Sequence, residues 1–295
     1  MRRRPSISIR LSPIGYRAVA RRVQTIVSEM FTEKHMPLPV LTVVLAGALP
    51  LTGAQVVIES TAMAKKPVNP YGLAFISGQA ASTPEPEAEV APLLEKSVSS
   101  LAQTVSSLGL GSEDVLRTTC FLSSLEGIDT LRQRLATAFP QAAMNFVQIQ
   151  RAPLHSVAEC EAVARLSAPA GQPLRFVNPG GSAGSSGSSQ AALVGAPQVV
   201  LTGAQLGFHF KDEDARLVFK RLDKELGEAG ASLRQAAMVN AYPLSNSIGG
   251  LVRKVRAEFY GSSNPPAGTM VPFEGLPALD ASFAVDVIAV SSNPK

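Results

Sequence analysis

Cysteine and histidine are both scarce in this chain, which limits the metal chemistry available to it. The 295 residues include two cysteines and three histidines. Cys120 and Cys160 form no Cys-x-x-Cys pair, and His35, His155 and His209 share no ligand spacing. Because zinc sites need such spacings, we expect no metal site and no disulfide framework. The two cysteines are expected to be small buried residues in a reducing compartment.

Basic charge is also lacking outside the first segment. The whole chain has 27 Lys and Arg against 23 Asp and Glu; residues 1–36 hold 8 and 2 of these, which leaves 19 and 21 for the rest. A nucleic-acid groove needs clustered basic residues, so the sequence predicts no nucleic-acid partner. We expect a cytoplasmic protein, although the Arg-rich, acid-poor start also resembles an organelle transit peptide.

Long hydrophobic runs are missing as well. The apolar run 38–51 contains Pro39 and Pro50 and is too short to span a bilayer. The sequence therefore predicts no membrane partner. An apolar fraction of 45% is nevertheless enough to bury sizeable cores.

What the chain does contain is an internal repeat. Three segments each consist of an apolar strand, a proline-containing turn and a second strand that reaches an acid. The segments are 40–64, 145–166 and 268–290. The acid falls ten or eleven residues after the turn position in each, as Glu59, Glu161 and Asp286. One column of carboxylates is therefore predicted to run through all three repeats.

Amphipathic stretches ending in an aromatic residue precede each segment and predict helices. In the second and third repeats, further strands and a first helix precede these elements in the sequence. The pattern predicts two complete β-β-α-β-α-β-β units, at 65–167 and 172–291, the latter with a Gly/Ser-rich loop at 178–190. Residues 1–64 are predicted to form only the later half of such a unit.

Four motifs resemble the RidA/YjgF family of reactive imine deaminases. They are "FISGQA" (75–80), "RTTCFLSSLEGI" (117–128), "AFP" (138–140) and "RAPLHSVAECEAVA" (151–164). The resemblance implies a chorismate-mutase-like α+β domain, with a mixed sheet and two helices on one face. Family members assemble as trimers with clefts between subunits, so three units in one chain imply a trimer-like arrangement, by intrachain packing or self-association.

The resemblance also implies hydrolysis of 2-imino or 2-enamino acids to 2-oxo acids and ammonia, without a cofactor. The implied partner is a small-molecule carboxylate substrate. Arg151 would hold the substrate carboxylate and Glu161 would position water as the catalytic pair. The remaining substrate-binding residues implied are Tyr71, Ser77, Gly78 and Arg132, with Thr202 and Gly203 from the neighbouring unit.

Physical reasoning supports this pair but leaves alternatives open. A guanidinium binds a carboxylate through two parallel donors, and hairpin partners would bring Arg151 and Glu161 within about 5 Å. The alternative is a solvent-exposed ion pair. Because Ala48 and Gly275 stand where the other repeats would need the arginine, a catalytically degenerate binding or scaffold protein is the second hypothesis. Ribonuclease activity is disfavoured by charge, and a serine hydrolase at "GGSAG" (180–184) lacks the required helix.

Overall fold

The chain folds as an α+β protein with three β-sheets, which confirms the predicted fold class. This is a computed structural model, and it describes residues 6–12, 16–62, 69–86, 88–179, 187–260 and 265–291. The helices are α1 (Tyr16–Glu33), α2 (Val90–Ser107), α3 (Ile128–Ala138), α4 (Asp212–Glu228) and α5 (Asn246–Arg256). Within the described residues, no helix combines the length and apolarity needed to cross a bilayer.

The strands fall into three groups along the chain. The first group is β1 (Ser6–Leu11), β2 (Val40–Leu45) and β3 (Val56–Thr61). The second is β4 (Leu73–Thr83), β5 (Val115–Leu122), β6 (Ala143–Gln148), β7 (Ser156–Arg165), β8 (Arg175–Val177) and β9 (Ala191–Val194). The third is β10 (Val199–Leu201), β11 (Gln205–Phe208), β12 (Ala236–Pro243) and β13 (Ala281–Val290).

The first sheet has the order β2-β1-β3, with β1 parallel to β2 and antiparallel to β3. Helix α1 connects β1 to β2, as a parallel strand pair requires a crossover. Its apolar residues recur every three or four positions, and Ala20 and Val27 bury this stripe against the sheet.

The second sheet has the order β6-β5-β7-β4-β9-β8 and repeats the same core arrangement. Strand β5 is parallel to β6 and antiparallel to β7, with α3 as the crossover. Strand β4 pairs with the other edge of β7, and α2 packs over both. The buried core between the helices and the sheet includes Leu94, Leu101 and Leu135.

A disulfide joins Cys120 on β5 to Cys160 on β7 in this core. The two residues are directly opposite each other in the strand register, and both are fully buried. The expectation of two separate thiols was therefore wrong. Sequence spacing could not reveal the pair, because 40 residues separate the cysteines and only the strand register brings them together.

In the third sheet, β13 pairs antiparallel with β12 on one side and with β10 and β11 on the other. Helices α4 and α5 cover it, with Phe219, Leu222 and Val252 in the core. The hairpin β8-β9, which the sequence assigned to the 172–291 unit, pairs instead with β4 of the second sheet. The division into three units stays a prediction, and its 64/65 boundary and most of the 178–190 loop lie outside the described residues.

In addition to the cores between the helices and their sheets, the three sheets share one central core. It combines Val44 of the first sheet, Phe121 and Val147 of the second, and Tyr242 of the third with Phe273. The Phe273 ring packs edge-on against both Phe121 and Tyr242, with centroid distances of 5.9 and 5.3 Å. The faces of the sheets that turn away from their helices therefore pack on one another.

The three proline-containing turns meet beside this central core. The amide of Gly47 donates to the carbonyl of Gln148 at 2.8 Å, and that of Leu45 to Gly275 at 2.9 Å. The amide of Glu274 donates to the carbonyl of Ile149 at 2.9 Å. The three repeated segments thus lie against one another at one end of the molecule.

Candidate functional site

The predicted pair Arg151 and Glu161 does not come together in the structure. The prediction assumed that the strands on either side of the turn are hairpin partners. They are not, because β5 lies between β6 and β7 in the sheet. Glu161 instead faces Thr119 of β5 in the register. The error arose because a hairpin and an antiparallel connection that passes over one strand have the same local sequence pattern on both sides of a proline turn.

Arg151 lies on the surface, where its side chain is 67% exposed. Its Nη2 and Nε atoms are 2.7 and 2.8 Å from Oε1 of Glu274, and its backbone amide donates to Oε2 at 2.8 Å. The guanidinium therefore has a partner from the turn that precedes β13. Arg151 is therefore in a solvent-exposed ion pair, but its partner is Glu274 and not Glu161, the partner that the alternative named.

Glu161, by contrast, is buried and fully engaged. Its Oε2 accepts a 2.6 Å hydrogen bond from the Thr269 hydroxyl, and its Oε1 is 3.2 Å from Nη2 of Arg117. Burial raises the pKa of Glu161, and the Arg117 charge and the Thr269 hydrogen bond oppose that rise. Both carboxylate oxygens are occupied by protein groups.

The predicted column of carboxylates forms one cluster at the centre of the molecule. Arg117 Nε lies 2.5 Å from Oε1 of Glu59, and Arg10 Nη1 lies 3.3 Å from its Oε2. Asp286 accepts hydrogen bonds from Thr42 at 2.8 Å and from Tyr242 at 3.0 Å. Each of the three sheets therefore contributes one acid, and we call these acids with Arg10 and Arg117 the central charge cluster.

Threonine hydroxyl groups from other parts of the chain donate hydrogen bonds to two of the three acids. Thr42 of the first sheet donates to Asp286 of the third, and Thr269, which precedes β13, donates to Glu161 of the second. Burial raises the pKa of Asp286, and the hydrogen bonds from Thr42 and Tyr242 oppose it. The cluster links the sheets through specific polar contacts.

The predicted glycine turn of the second sheet lies next to the third. The Gly78 amide donates to the Thr269 hydroxyl at 3.2 Å. The Ser77 hydroxyl is buried, donates to the Ser189 carbonyl at 2.5 Å and accepts from the Gly268 amide at 2.9 Å. Ser77 of β4 is therefore hydrogen-bonded both to the residue before Gln190 and to the segment that precedes β13.

Thr202 and Gly203 do not face Glu161. The Thr202 hydroxyl accepts from the Val287 amide at 3.0 Å, inside the third sheet. A Cβ atom on Gly203 would lie 2.8 Å from the carbonyl oxygen of Leu41, so this turn packs against β2 of the first sheet. The residue that reaches Glu161 from the third unit is Thr269 instead.

Arg132 and Tyr71 lie apart from the central charge cluster. Arg132 pairs with Asp129 one helical turn away at 2.9 Å on exposed α3, which is an ordinary surface pair. Tyr71 lines a cleft of about 630 Å³ together with Pro70, Pro169 and Pro173. None of the other predicted site residues lines this cleft.

Glu159 is the functional candidate that the sequence analysis missed. It lies two residues before Glu161 on β7, on the same face of the strand, and it is partly buried. A Cβ atom on Gly78 would overlap its carboxylate. Glu159 has no hydrogen-bond or ion-pair partner among the described residues, unlike the three acids of the central charge cluster.

The surroundings of Glu159 raise its pKa to about 8. Burial is the largest cause and the charge of Glu161 the second, while the charge of Arg253 on α5 opposes them. Arg253 is exposed and also has no hydrogen-bond or ion-pair partner within the described residues. Glu159, Gly78 and Arg253 thus bring an acid, a close-packed turn and a cation to the contact between the second and third sheets.

The signals for these residues were present but weak. A spacing of two places Glu159 and Glu161 on one face of a strand. No sequence signal distinguished Arg253 from Arg132, since both are helical arginines. Among the described residues, no group of three or more His, Cys, Asp or Glu side chains could hold a metal ion.

Comparison with known proteins finds one family that the middle of the chain resembles. Residues 66–166 match the family model described as Endoribonuclease L-PSP, the family also called RidA/YjgF. The matched stretch contains Gly78, Arg117, Glu159 and Glu161. No curated protein matches the chain.

Solved structures of the RidA/YjgF family resemble parts of the chain. A Rid-family protein of unknown function, YyfB from Yersinia pestis, is 17% identical, covers 40% of this chain and 99% of its own, with a TM-score of 0.37. A YjgF/YER057c/UK114 member from Mycobacterium tuberculosis is 25% identical over 40% and 98%, with a TM-score of 0.29. A putative endoribonuclease L-PSP from Entamoeba histolytica is 22% identical over 40% and 98%, with a TM-score of 0.30.

Proposed function

We propose that the protein hydrolyses small 2-imino or 2-enamino acids to 2-oxo acids and ammonia, with Glu159 as its water-positioning carboxyl. The observation that supports this role is that Glu159 is partly buried, has no partner among the described residues and has a pKa raised to about 8. A carboxyl whose pKa lies near neutrality exchanges protons readily at physiological pH. Glu161 is less suited, because Arg117 and Thr269 already occupy its oxygens.

The proton balance of this reaction needs one acid-base group and no cofactor. Glu159 takes a proton from water as the oxygen adds to the imine carbon. It then returns that proton to the nitrogen of the tetrahedral adduct. As the carbon-nitrogen bond breaks, Glu159 takes the proton of the adduct's hydroxyl, whose oxygen becomes the carbonyl oxygen of the 2-oxo acid. Transfer of this second proton to the released ammonia restores the carboxylate. A protonated imine beside Glu159 favours the ionised carboxylate, because opposite charges lower a carboxyl pKa.

Arg253 is the proposed anchor for the substrate carboxylate. Its guanidinium acts electrostatically on Glu159 and has no ion-pair partner among the described residues. Guanidinium groups bind carboxylates through two parallel N–H donors. Arg151 is less suited to this role because Glu274 already occupies it.

Ammonia release from freshly generated 2-iminobutyrate or 2-aminoacrylate tests this proposal. We expect Glu159→Gln to reduce the rate at least about 100-fold, within the range for loss of a general base. Arg253→Gln should raise the KM. Arg151→Ala is the matched control and should keep the wild-type rate. A wild-type protein that does not accelerate the reaction, or a Glu159→Gln variant as active as wild type, would contradict the proposal.

A second candidate is a RidA-fold protein that binds 2-oxo acids without turnover. It is supported by the Gly78 amide and Ser77 hydroxyl, which the third unit already engages. Thermal-shift measurements with 2-oxo acids distinguish the two. Stabilisation by the ligand that Arg253→Gln abolishes, together with no ammonia release, supports the binder. Ribonuclease activity is disfavoured by the 19 basic and 21 acidic residues after residue 36.

A further inference from the structure

The first sheet has an open edge and an exposed face at positions that are covered in each of the other two sheets. In the second sheet, β7 lies between β5 and β4, and in the third, β13 lies between β12 and the pair β10 and β11. Their counterpart β3 pairs with β1 alone among the described strands. Within the part of the chain that the structure describes, the other edge of β3 therefore has no strand partner, and an edge of this kind promotes association with another strand.

The residue that precedes each acid of the central charge cluster is exposed in the first sheet and buried in the other two. The three equivalent residues are Ile58, Cys160 and Val285, each one position before Glu59, Glu161 or Asp286. Cys160 and Val285 are fully buried in the cores that contain α2 and α4. Ile58 is 53% exposed. It lies on the helix-covered face of the first sheet, since it pairs with buried Ile9 of β1.

Helix α1 differs from its counterparts at the positions that face this gap. An aromatic residue lies at or near the end of each of these helices, as Phe31, Phe139 and Phe259. Five residues before these aromatics stand Ile26, Arg134 and Lys254. Arg134 pairs with Glu95 of α2, and Lys254 with Asp212 of α4. None of the described helices lies in the matching place beside Ile26, which is exposed, as is Met30 one turn later. We call Ile26, Met30 and Ile58 the open face.

We propose that the open face and the edge of β3 form a homodimer interface with a second copy of this chain. The strands that occupy this place in the other sheets all run antiparallel to β7 or β13. A two-fold axis perpendicular to the sheet places β3 antiparallel to its own copy, so it supplies the required direction.

Charge also favours a second copy over a different partner. On the second sheet, α3 contacts α2 through oppositely charged side chains. On the third sheet, α4 makes such contacts with α5 and with the residues that follow α5. A two-fold contact brings identical residues together, and like charges would repel there. Apolar Ile26 and Met30 meet their own copies without that cost, and they bury surface that a monomer leaves in water.

Sedimentation velocity and light scattering between about 1 and about 100 µM test the dimer, because self-association depends on concentration. We expect the wild-type chain of 30.9 kDa to reach about twice its mass. The double variant Ile58→Asp with Met30→Asp should remain monomeric over the same range. Leu279→Asp, which changes a residue 68% exposed elsewhere, is the matched control and should dimerise like wild type.

Hydrogen exchange provides a second readout. The amides of β3 should exchange more slowly at high than at low protein concentration, and those of β8 should not change. Because the replaced side chains are already exposed, the variants should keep the wild-type circular dichroism; Ile58→Ser replaces the double variant if they do not. A wild-type monomer throughout, a trimer, or a dimer that survives the open-face substitutions would overturn the proposal.

Discussion

At the scale of single residues, charged side chains of the same type differ in their burial and in their hydrogen-bond and ion-pair partners. Glu159 and Glu161 differ by two positions on one strand, yet Glu161 has two protein partners and Glu159 has none among the described residues. Arg117 is enclosed by two carboxylates, whereas Arg151 is paired at the surface. These differences lead to opposite expectations for substitution.

Arg151→Ala should change stability little. An exposed ion pair contributes about 0–1 kcal/mol because water screens it and the side chain loses entropy. Urea unfolding should therefore give a free energy of unfolding within about 1 kcal/mol of wild type. A loss several times larger would show that the contact of Arg151 with Glu274 holds the turns together.

Arg117→Met should be strongly destabilising, by about 3–5 kcal/mol, because it leaves Glu59 and Glu161 without their shared cation. The same urea measurement checks this, with Arg132→Met as the control on an exposed helix. The added double variant Glu59→Gln with Glu161→Gln should recover part of the loss, since it removes the unpaired charge. No recovery would contradict an electrostatic cause.

Glu159 should make stability depend on pH. Its folded-state pKa of about 8 exceeds the usual glutamate pKa of 4.5, so the folded protein holds a proton that the unfolded chain releases. Stability should therefore be greatest below about pH 4.5 as far as this group is concerned, and decline as pH rises toward 8. Between the two pKa values the folded protein holds about one proton more than the unfolded chain, so the decline should approach about 1.4 kcal/mol per pH unit.

Unfolding measured at several pH values between 5 and 8 checks this dependence. Glu159→Gln should flatten the wild-type slope because glutamine does not titrate. Parallel slopes for the two proteins would mean that the Glu159 pKa is not raised.

At the scale of elements, strand order decides which sequence predictions were right. The repeated strands and helices were predictable from apolar periodicity and turn residues. The pairing of Arg151 with Glu161 was not, because β5 enters the sheet between β6 and β7 from a distant part of the chain. The disulfide and the contact of β8-β9 with β4 depend on the same long-range register.

The Cys120–Cys160 disulfide should be detectable chemically. Thiol titration in denaturant without reductant should find no free thiols. Replacing both cysteines with alanine should lower the free energy of unfolding by about 2–4 kcal/mol, because the bond restricts the unfolded chain over 40 residues. Two titratable thiols in the unreduced protein would contradict the bond.

At the scale of the whole molecule, the three sheets depend on one another. The alignment of Glu59, Glu161 and Asp286 in the sequence predicted one column of carboxylates, and the structure places all three acids around Arg117. What the sequence did not reveal is that Arg10 and Arg117 lie among these acids, since neither belongs to the repeated pattern. Buried polar contacts of this kind are known to fix the relative arrangement of packed units.

Close backbone contact between the first two sheets gives a separate test. A Cβ atom on Gly47 would lie 2.5 Å from the backbone nitrogen of Arg151, so Gly47→Ala should separate the turns and cost about 2 kcal/mol or more. Gly227→Ala is the control, because nothing lies within 4 Å of its Cβ on α4, and it should be neutral or stabilising. Equal thermal shifts for both would contradict the packing of the turns.

The most direct test of the proposed site is the titration of Glu159 itself. NMR spectra of protein labelled with ¹³C at the glutamate carboxyl carbons, assigned with Glu159→Gln, report its protonation. We predict a midpoint near pH 8, as expected for a partly buried carboxyl beside Glu161. A midpoint near 4.5 would show an ordinary carboxylate and would contradict the role of Glu159 in the proposed reaction.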